Sequence, residues 1–579
     1  MRRYFKYLKG SCFAVLLAPL MMILEVYCDL RQPELMSAIV DDGIRGGLGS
    51  SYILSAGGRM LLVALVGFAG GALSLVFATI ASQNFGRKLR SDAFSKVQSF
   101  SFANIDDFSS ASLVTRITND VVFLQTIVAM ALRMFVRAPM TFFGGIWHAL
   151  MIKPQLAAII FIAIPLLLAV LILTIRKAFP IFKTVQAKLD KVNAVIQENL
   201  TGIRVVKAYN RAQHENDRFG KANMEFASLS IRAQQIMALM MPLLTLIMNA
   251  AVVSVLWFGA NLVGADEIQV GEVSALITYI TRILGSLMMM SMMFTSASRA
   301  QASAERINAI LDENIDIMDP DQPTTRPITR GDVEFRDVSF RYKGAAGDAV
   351  KNISFTVKGG ETVAILGSTG SGKSTLVNLI PRLYDVTSGA VLVDGVDVRN
   401  YRISDLRSAV GVVLQDNILF SGSIAENLRW GDENATEEEL SHAAKMAQAE
   451  EFITANPDGY NAVLSQRGVN FSGGQKQRMA IARALVKKPK VLILDDSTSA
   501  LDMTTESKIR KTLKTELSKM TVIIIAQRIS SARNADKIMV MENGKIVDCG
   551  THDYLLGNSR VYKEIYDSQL QADEEVHDV

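Results

Sequence analysis

Thr362-Val-Ala-Ile-Leu-Gly-Ser-Thr-Gly-Ser-Gly-Lys-Ser374 is the stretch that decides how the second half of this chain folds. Its first five residues are apolar enough for a buried strand. Gly367, Ser368, Thr369, Gly370, Ser371, Gly372, Lys373 and Ser374 then match G-x-x-x-x-G-K-[ST]. Glycines in such a loop let successive main-chain N–H groups point inward and cradle phosphates. Lys373 supplies charge for the β- and γ-phosphates, and the Ser374 hydroxyl is placed for Mg²⁺. Thr375 continues into the helix that must follow. Around this loop, Val333-Glu-Phe-Arg-Asp-Val-Ser-Phe340, Val491-Leu-Ile-Leu494 and Val522-Ile-Ile-Ile525 read as further short strands alternating with helix patterns. That alternation predicts a mainly parallel sheet with helices on its faces.

Upstream the composition changes. Asp319-Pro-Asp-Gln-Pro-Thr-Thr-Arg-Pro327 is a polar, Pro-rich linker signal. Before it, the 579-residue chain, 49% hydrophobic overall, carries its long apolar runs. Six are long enough to cross a bilayer, at roughly 12–36, 59–83, 125–152, 155–177, 234–263 and 272–298. The connections after spans one, three and five are short and neutral or acidic, as in Gly264-Ala-Asp-Glu267. Those after spans two and four are long, helical in pattern and rich in Lys and Arg, which places them and the N-terminus in the cytoplasm. The expected fold class is therefore an α-helical polytopic membrane domain of six spans with long cytoplasmic extensions, followed by an α/β P-loop ATPase domain. Expected boundaries are 1–315 for the membrane domain, 316–330 for the linker, 331–570 for the nucleotide-binding domain and 571–579 for a disordered tail. Met1-Arg-Arg-Tyr-Phe-Lys-Tyr-Leu-Lys9 reads as an interfacial helix leading into span one rather than a cleaved signal. A net charge of +4 without a basic tract gives no reason to expect nucleic acid as a partner. Cys12, Cys28 and Cys549 have no metal or redox spacing and read as apolar fillers.

Asp495 ends an apolar strand, where a carboxylate can hold Mg²⁺ directly or through water. The next position, where a residue would position or activate the attacking water, is Asp496. Its side chain is one methylene shorter than that of glutamate, a loss of about 1.5 Å in reach. A base must lie within about 2.6–3.2 Å of its proton or act through one water. Gln527 neither accepts a proton nor carries positive charge near a γ-phosphate, as histidine could. None of the five histidines (His148, His214, His442, His552, His577) falls at that strand end. The two departures together predict a site that binds ATP and turns it over slowly.

Phe471-Ser-Gly-Gly-Gln-Lys-Gln-Arg478 resembles the signature motif of ATP-binding cassette proteins, with Phe471 where leucine is usual. Ser499-Ala-Leu-Asp502 resembles their D-loop. Gln415, before Asp416-Asn-Ile-Leu-Phe-Ser421, resembles the Q-loop, and Tyr342 the aromatic residue that stacks on adenine. The resemblance covers nearly the whole chain and is closest to the degenerate-site subunit of heterodimeric bacterial multidrug exporters. It implies short coupling helices near 102–112 and 209–218, segments whose residues by themselves read either as solvated turns or as short docking helices. It implies ATP and Mg²⁺ as cofactors, the metal held by Ser374, Gln415 and Asp495. It also implies a second half-transporter bearing the Glu and His that this chain lacks at Asp496 and Gln527. Two cassettes would close head to tail. This chain's P-loop would build the degenerate site, and its Ser472, Gly473, Gly474, Gln475 and Asp502 would complete the partner's hydrolytic site. Gln466 stands where exporters usually have Glu, which puts that segment's cross-talk role in question. The implied location is the bacterial cytoplasmic membrane, with the cassette and both termini in the cytoplasm.

Glu25 and Asp29 in span one, and Arg133 and Arg137 in span three, are each four apart and so share a helix face. Charges at membrane depth face a cavity or one another. These four either pair between helices or line a polar cavity or gate. Met288-Met-Met-Ser-Met-Met293 with Phe135, Phe142, Phe143 and Trp147 forms ordinary packing or a pliable substrate wall. The leading expectation is export of hydrophobic or amphipathic compounds. Lipid, peptide or siderophore transport on the same fold is the alternative, and a membrane ATP sensor without a transport path is a third.

Overall fold

The computed structural model describes residues 2–497, 501–516 and 519–577. The chain divides into two compact units, Met1–Lys96 with Ala111–Asp312, and Val97–Ser110 with Glu313–Val579.

The first unit is helical. Among the described residues, six helices are long and apolar enough to cross a membrane: Phe5–Arg45, Gly49–Gln98, Ser110–Ile152, Pro154–Thr201, Ala212–Gly264 and Val270–Met290, the last lying within the helix Val270–Leu311. At about 1.5 Å rise per residue, the 50 residues of Gly49–Gln98 far exceed a hydrocarbon core of about 30 Å. The polar extensions expected after spans two and four are thus continuous with their membrane helices. Spans three and six pack along one another, as do spans four and five. Tyr4 and Tyr7 of the N-terminal segment are buried against Phe85, while Phe5 between them is exposed, so the segment has one embedded face and one free apolar residue.

The charged residues of spans one and three resolve into interhelical pairing. Arg137 Nη1 contacts Glu25 Oε1, and Arg137 Nη2 lies 3.1 Å from Asp29 Oδ2. Arg133 stands outside this cluster, its buried Nε without a partner among the described residues. Phe135, Phe143 and Trp147 are exposed on the unit's surface, and Met293 is buried.

Two expectations about the cytoplasmic tips are corrected. The second short helix is Ile203–Ala208 rather than 209–218. Asn210 takes a left-handed φ of 52° that ends the turn, and the long helix restarts at Ala212. The first short helix is Phe102–Asp107, and its segment groups with the second unit rather than with the spans. There the Phe102 ring packs edge-on against Tyr384 at 5.9 Å. Tyr384 Oη donates to Asp106 at 2.8 Å, Lys343 Nζ pairs with Asp107 at 2.6 Å, and Asn104 Nδ2 donates to the Asn314 carbonyl at 2.8 Å.

The second unit holds β1 (Val333–Phe340), β2 (Val350–Val357), β3 (Thr362–Gly367), β4 (Ser388–Val393), β5 (Val396–Asp397) and β6 (Val410–Val413). It continues with β7 (Gly422–Ser423), β8 (Val463–Leu464), β9 (Val491–Asp495), β10 (Thr521–Ile525), β11 (Lys537–Glu542) and β12 (Lys545–Gly550). One sheet, ordered β2-β1-β4-β5, is antiparallel. The larger sheet runs β12-β11-β3-β10-β9-β6 and is parallel except for the edge strand β12. The central strands are buried along their whole lengths, which is why they read as unbroken Val/Ile/Leu runs. The last helix, Arg560–His577, carries the expected disordered tail on as helix to His577; residues 578–579 lie outside the described residues. Gln571, Ala572, Glu574 and Glu575 are good helix formers that extend a helix already docked by Tyr562.

The linker is tied down by buried Asp394, which accepts main-chain N–H groups from Thr329, Arg330 and Asp332 at 2.6, 3.0 and 2.8 Å. Burial alone would raise the Asp394 pKa, but these donors outweigh it and hold the carboxyl below its ordinary value. The folded value lies below the unfolded one. Its stabilisation is therefore complete above the ordinary carboxylate range and is lost as pH falls through the folded value. Asp394→Ala is expected to destabilise the unit by about 3 kcal/mol at pH 7, and by less at acidic pH. Thermal melts of the full-length chain at pH 7 and pH 4 measure this, and equal losses at both would contradict it.

Candidate nucleotide site

Ile525 of β10 sits directly across from Ile365 of β3 on one side and Asp495 of β9 on the other. The loop after β3, the carboxylates at the end of β9 and Gln527 beyond β10 therefore converge at adjacent carboxyl ends of a parallel sheet, where such sheets bind ligands. A cavity of about 360 Å³ lies there, lined by Tyr342, Ala349, Thr369, Gly370, Gly372, Lys373, Ser374, Thr375, Gln415, Asp495, Asp496, Ile525 and Gln527.

The loop geometry explains its glycines. Gly367 has φ 150° and Gly372 φ 96°; a Cβ would come within 2.2 Å of the Met541 carbonyl at the first and 2.5 Å of the Ala349 carbonyl at the second. Lys373 Nζ donates to the Gly367 and Ser368 carbonyls at 2.9 and 2.8 Å. Burial pushes its pKa down, opposed by the nearby Asp495 and Asp496. Ser371 Oγ is buried with no hydrogen-bond partner among the described residues. A positively charged loop with an unmet hydroxyl suits phosphate oxygens.

Ser374 Oγ donates to Asp495 Oδ1 at 2.9 Å, bringing together two of the three residues expected at Mg²⁺. Gln415 lines the same cavity. Burial raises the Asp495 pKa first, and the neighbouring Asp496 adds to it. A hydroxyl beside a carboxylate is an oxygen set suited to a hard cation, so these residues fit Mg²⁺, which when bound neutralises phosphate charge. The Tyr342 hydroxyl shares a hydrogen bond of 2.9 Å with Thr375 Oγ1, setting the ring over the first turn after the loop.

Asp496 and Gln527 touch. Gln527 Nε2 donates to Asp496 Oδ2 at 2.6 Å. Burial raises the Asp496 pKa, against the Lys373 charge and this hydrogen bond. Asp496 also has φ 47°, a left-handed conformation that Asp adopts far more readily than most side chains.

The family described as "ABC transporter transmembrane region" matches residues 15–287, and that described as "ABC transporter" matches residues 350–499. The chain is 42% identical over 571 residues to the "Uncharacterized ABC transporter ATP-binding protein YfiB" of Bacillus subtilis (strain 168), covering 98% of this chain and 99% of that protein. Its fold is similar to the structure of a bacterial Atm1-family ABC exporter with ATP bound, with a TM-score of 0.77 and 26% identity over 97% of this chain and 98% of that one. This chain is an ABC half-transporter of the exporter fold. It is also 31% identical to the "ATP-dependent lipid A-core flippase" of Syntrophus aciditrophicus (strain SB), over 89% of this chain and 85% of that protein.

The half-transporter's remaining motif residues lie apart from the cavity lining. Ser472 caps the helix Gly473–Val486: its hydroxyl accepts from the Gln475 N–H at 3.3 Å, and its own N–H donates to Gln475 Oε1 at 2.9 Å. Gly473 and Gly474 form the first turn. Asp502 Oδ2 accepts the Thr505 N–H at 2.8 Å, which holds its carboxyl below the ordinary range. Of the D-loop, Ser499 and Ala500 lie outside the described residues, as does the Gln466 side chain. Sequence reasoning missed Gln569, whose amide bonds to the loop carrying Gln527. Its only signal is its place seven residues after Tyr562.

Proposed function

We propose that this ABC half-transporter is one subunit of a heterodimeric, ATP-driven exporter of hydrophobic or amphipathic compounds in the bacterial cytoplasmic membrane. Its own P-loop holds ATP with little turnover. Its signature residues Ser472, Gly473, Gly474 and Gln475, with Asp502, complete the hydrolytic site of a partner bearing the Glu and His absent here. Gly367 to Thr375 and Tyr342 bind the nucleotide, with Ser374, Asp495 and Gln415 around Mg²⁺.

The observation that carries this reading is the Gln527–Asp496 hydrogen bond. An acidic residue that is to take a proton from water needs a free oxygen within reach. Here one oxygen of an already short side chain is engaged by an amide that cannot itself accept a proton. The surrounding P-loop keeps the residue types needed to bind nucleotide, so the departures at Asp496 and Gln527 bear on turnover. A second reading, lipid translocation by the same assembly, draws on the likeness to the lipid A-core flippase.

Turnover in the complex tests the division. Glu→Gln at the partner's corresponding position is expected to cut ATPase activity by about 10²-fold or more. Asp496→Glu is expected to leave it within about threefold. The longer acid would still meet the Gln527 amide and would sit in a left-handed conformation. Only Asp496→Glu combined with Gln527→His is expected to add activity when the partner's Glu is absent. The reverse pattern would overturn the assignment.

A further inference from the structure

Gln527 is held at both ends. Its side-chain amide meets Asp496, and its main-chain carbonyl accepts a hydrogen bond from Gln569 Nε2 at 2.8 Å. The same Gln569 side chain accepts the Ile529 N–H on Oε1, also at 2.8 Å. One amide group thus brackets Arg528, donating to the residue before it and accepting from the residue after it. Ile529 opens the short helix Ile529–Ala532, whose first N–H groups have no partner within the helix. Gln569 satisfies one of them.

Helix period explains how Gln569 arrives there. In the helix Arg560–His577, Tyr562 is fully buried and its hydroxyl lies 2.6 Å from His552 Nδ1. Ile565 and Tyr566 pack on the same hydrophobic core. Residues at spacings of three, four and seven share a helix face. Gln569 is seven on from Tyr562, so the docked face ends in an amide that looks onto the loop after β10 that carries Gln527, the switch loop. The three apolar anchors already fasten the helix, leaving Gln569 free to act on the loop.

We propose that Gln569 is a positioning residue for the switch loop. Through it the C-terminal helix fixes Gln527, Arg528 and Ile529 and keeps the Gln527 amide on Asp496. As a consequence resting on the proposed nucleotide-holding role, the helix sets how long nucleotide stays in this site. A C-terminal segment distant in sequence from the P-loop becomes part of its control.

The test uses the full-length chain in lipid nanodiscs, unmodified, as Gln569→Ala and as Gln569→Glu. Two readouts are taken: hydrogen exchange of the Ile529 amide, and release of the fluorescent analogue MANT-ATP. Two ordinary hydrogen bonds lost together correspond to about tenfold in the loop's opening equilibrium. Gln569→Ala is expected to raise Ile529 exchange about tenfold and to speed release severalfold, with the thermal midpoint lowered by only a few degrees. Gln569→Glu keeps an acceptor for Ile529 but sets a carboxylate against the Gln527 carbonyl. It is expected to leave Ile529 protected while release still quickens. A lowered midpoint with unmoved Ile529 exchange would make Gln569 a docking residue only and overturn the proposal, as would unchanged release in both variants. If the unmodified chain bound no MANT-ATP, the nucleotide-holding role would fall, and exchange at Ile529 would decide the positioning role alone.

Discussion

Lys373→Ala is expected to weaken nucleotide binding by the full-length chain by about 10²-fold or more. The ammonium is half-buried at the cavity, and its present acceptors are the loop's own Gly367 and Ser368 carbonyls. Phosphate oxygens would replace neutral carbonyls as acceptors, and charge-assisted bonds of this kind are about twice as strong as neutral ones. Lys373 also offsets Asp495 and Asp496, whose pKa values are already raised by burial. Alanine would leave two buried carboxylates facing an incoming polyanion. Titration of MANT-ATP into the chain in nanodiscs measures the effect, with the thermal midpoint as a folding control. Affinity within threefold of the unmodified chain would take the loop out of nucleotide binding.

Gly473→Asp should have an effect of similar size but of a different kind. The Ser472–Gln475 box closes the N-terminus of the helix Gly473–Val486, leaving first-turn N–H groups pointing outward. A helix N-terminus attracts anions, and in the proposed assembly it meets the phosphates held by the partner. An aspartate at the first helical position would be tolerated by this helix, since acidic residues suit the first turn. It would, however, put negative charge where a γ-phosphate must come. ATPase activity of the complex is expected to fall by about 10²-fold, while MANT-ATP binding by this chain alone is unchanged. Loss of both together would mean that the substitution damages the cassette rather than the shared site.

These effects rest on residues that could be read from the sequence, for reasons that differ by region. The buried parallel strands show because burial on both faces leaves the runs Val491-Leu-Ile-Leu494 in β9 and Val522-Ile-Ile-Ile525 in β10, close before Asp495 and Gln527. The loop after β3 shows because its backbone conformation admits only glycine at Gly367 and Gly372. The spans show by length, although their helices run on well past the apolar stretch, which hid both the end of span four's helix at Thr201 and the short helix Ile203–Ala208 after it. Asp496 and Gln527 were legible as residue types, but not as a bonded pair, because 31 residues separate them and the sheet register joins them. The antiparallel sheet β2-β1-β4-β5, half-exposed and interrupted by bulges, has no clear alternation to betray it. The pairing of Arg137 with Glu25 and Asp29 depends on helix rotation, which spacing alone leaves open.

The helix Phe102–Asp107 belongs by its contacts to the second unit, although more than 200 residues of membrane domain separate it from the rest. Chain order and structural membership therefore disagree at one place. A soluble fragment beginning at Glu313 would be missing a piece of itself. The Tyr384 ring would lose its edge-on partner, and Asn314, Lys343 and the Tyr384 hydroxyl would lose theirs. Such a fragment would expose the Tyr384 face that Phe102–Asp107 covers in the full chain, and any self-association through that face would reflect the cut rather than the protein. Adding the peptide 97–110 in solution would be the simplest way to heal it.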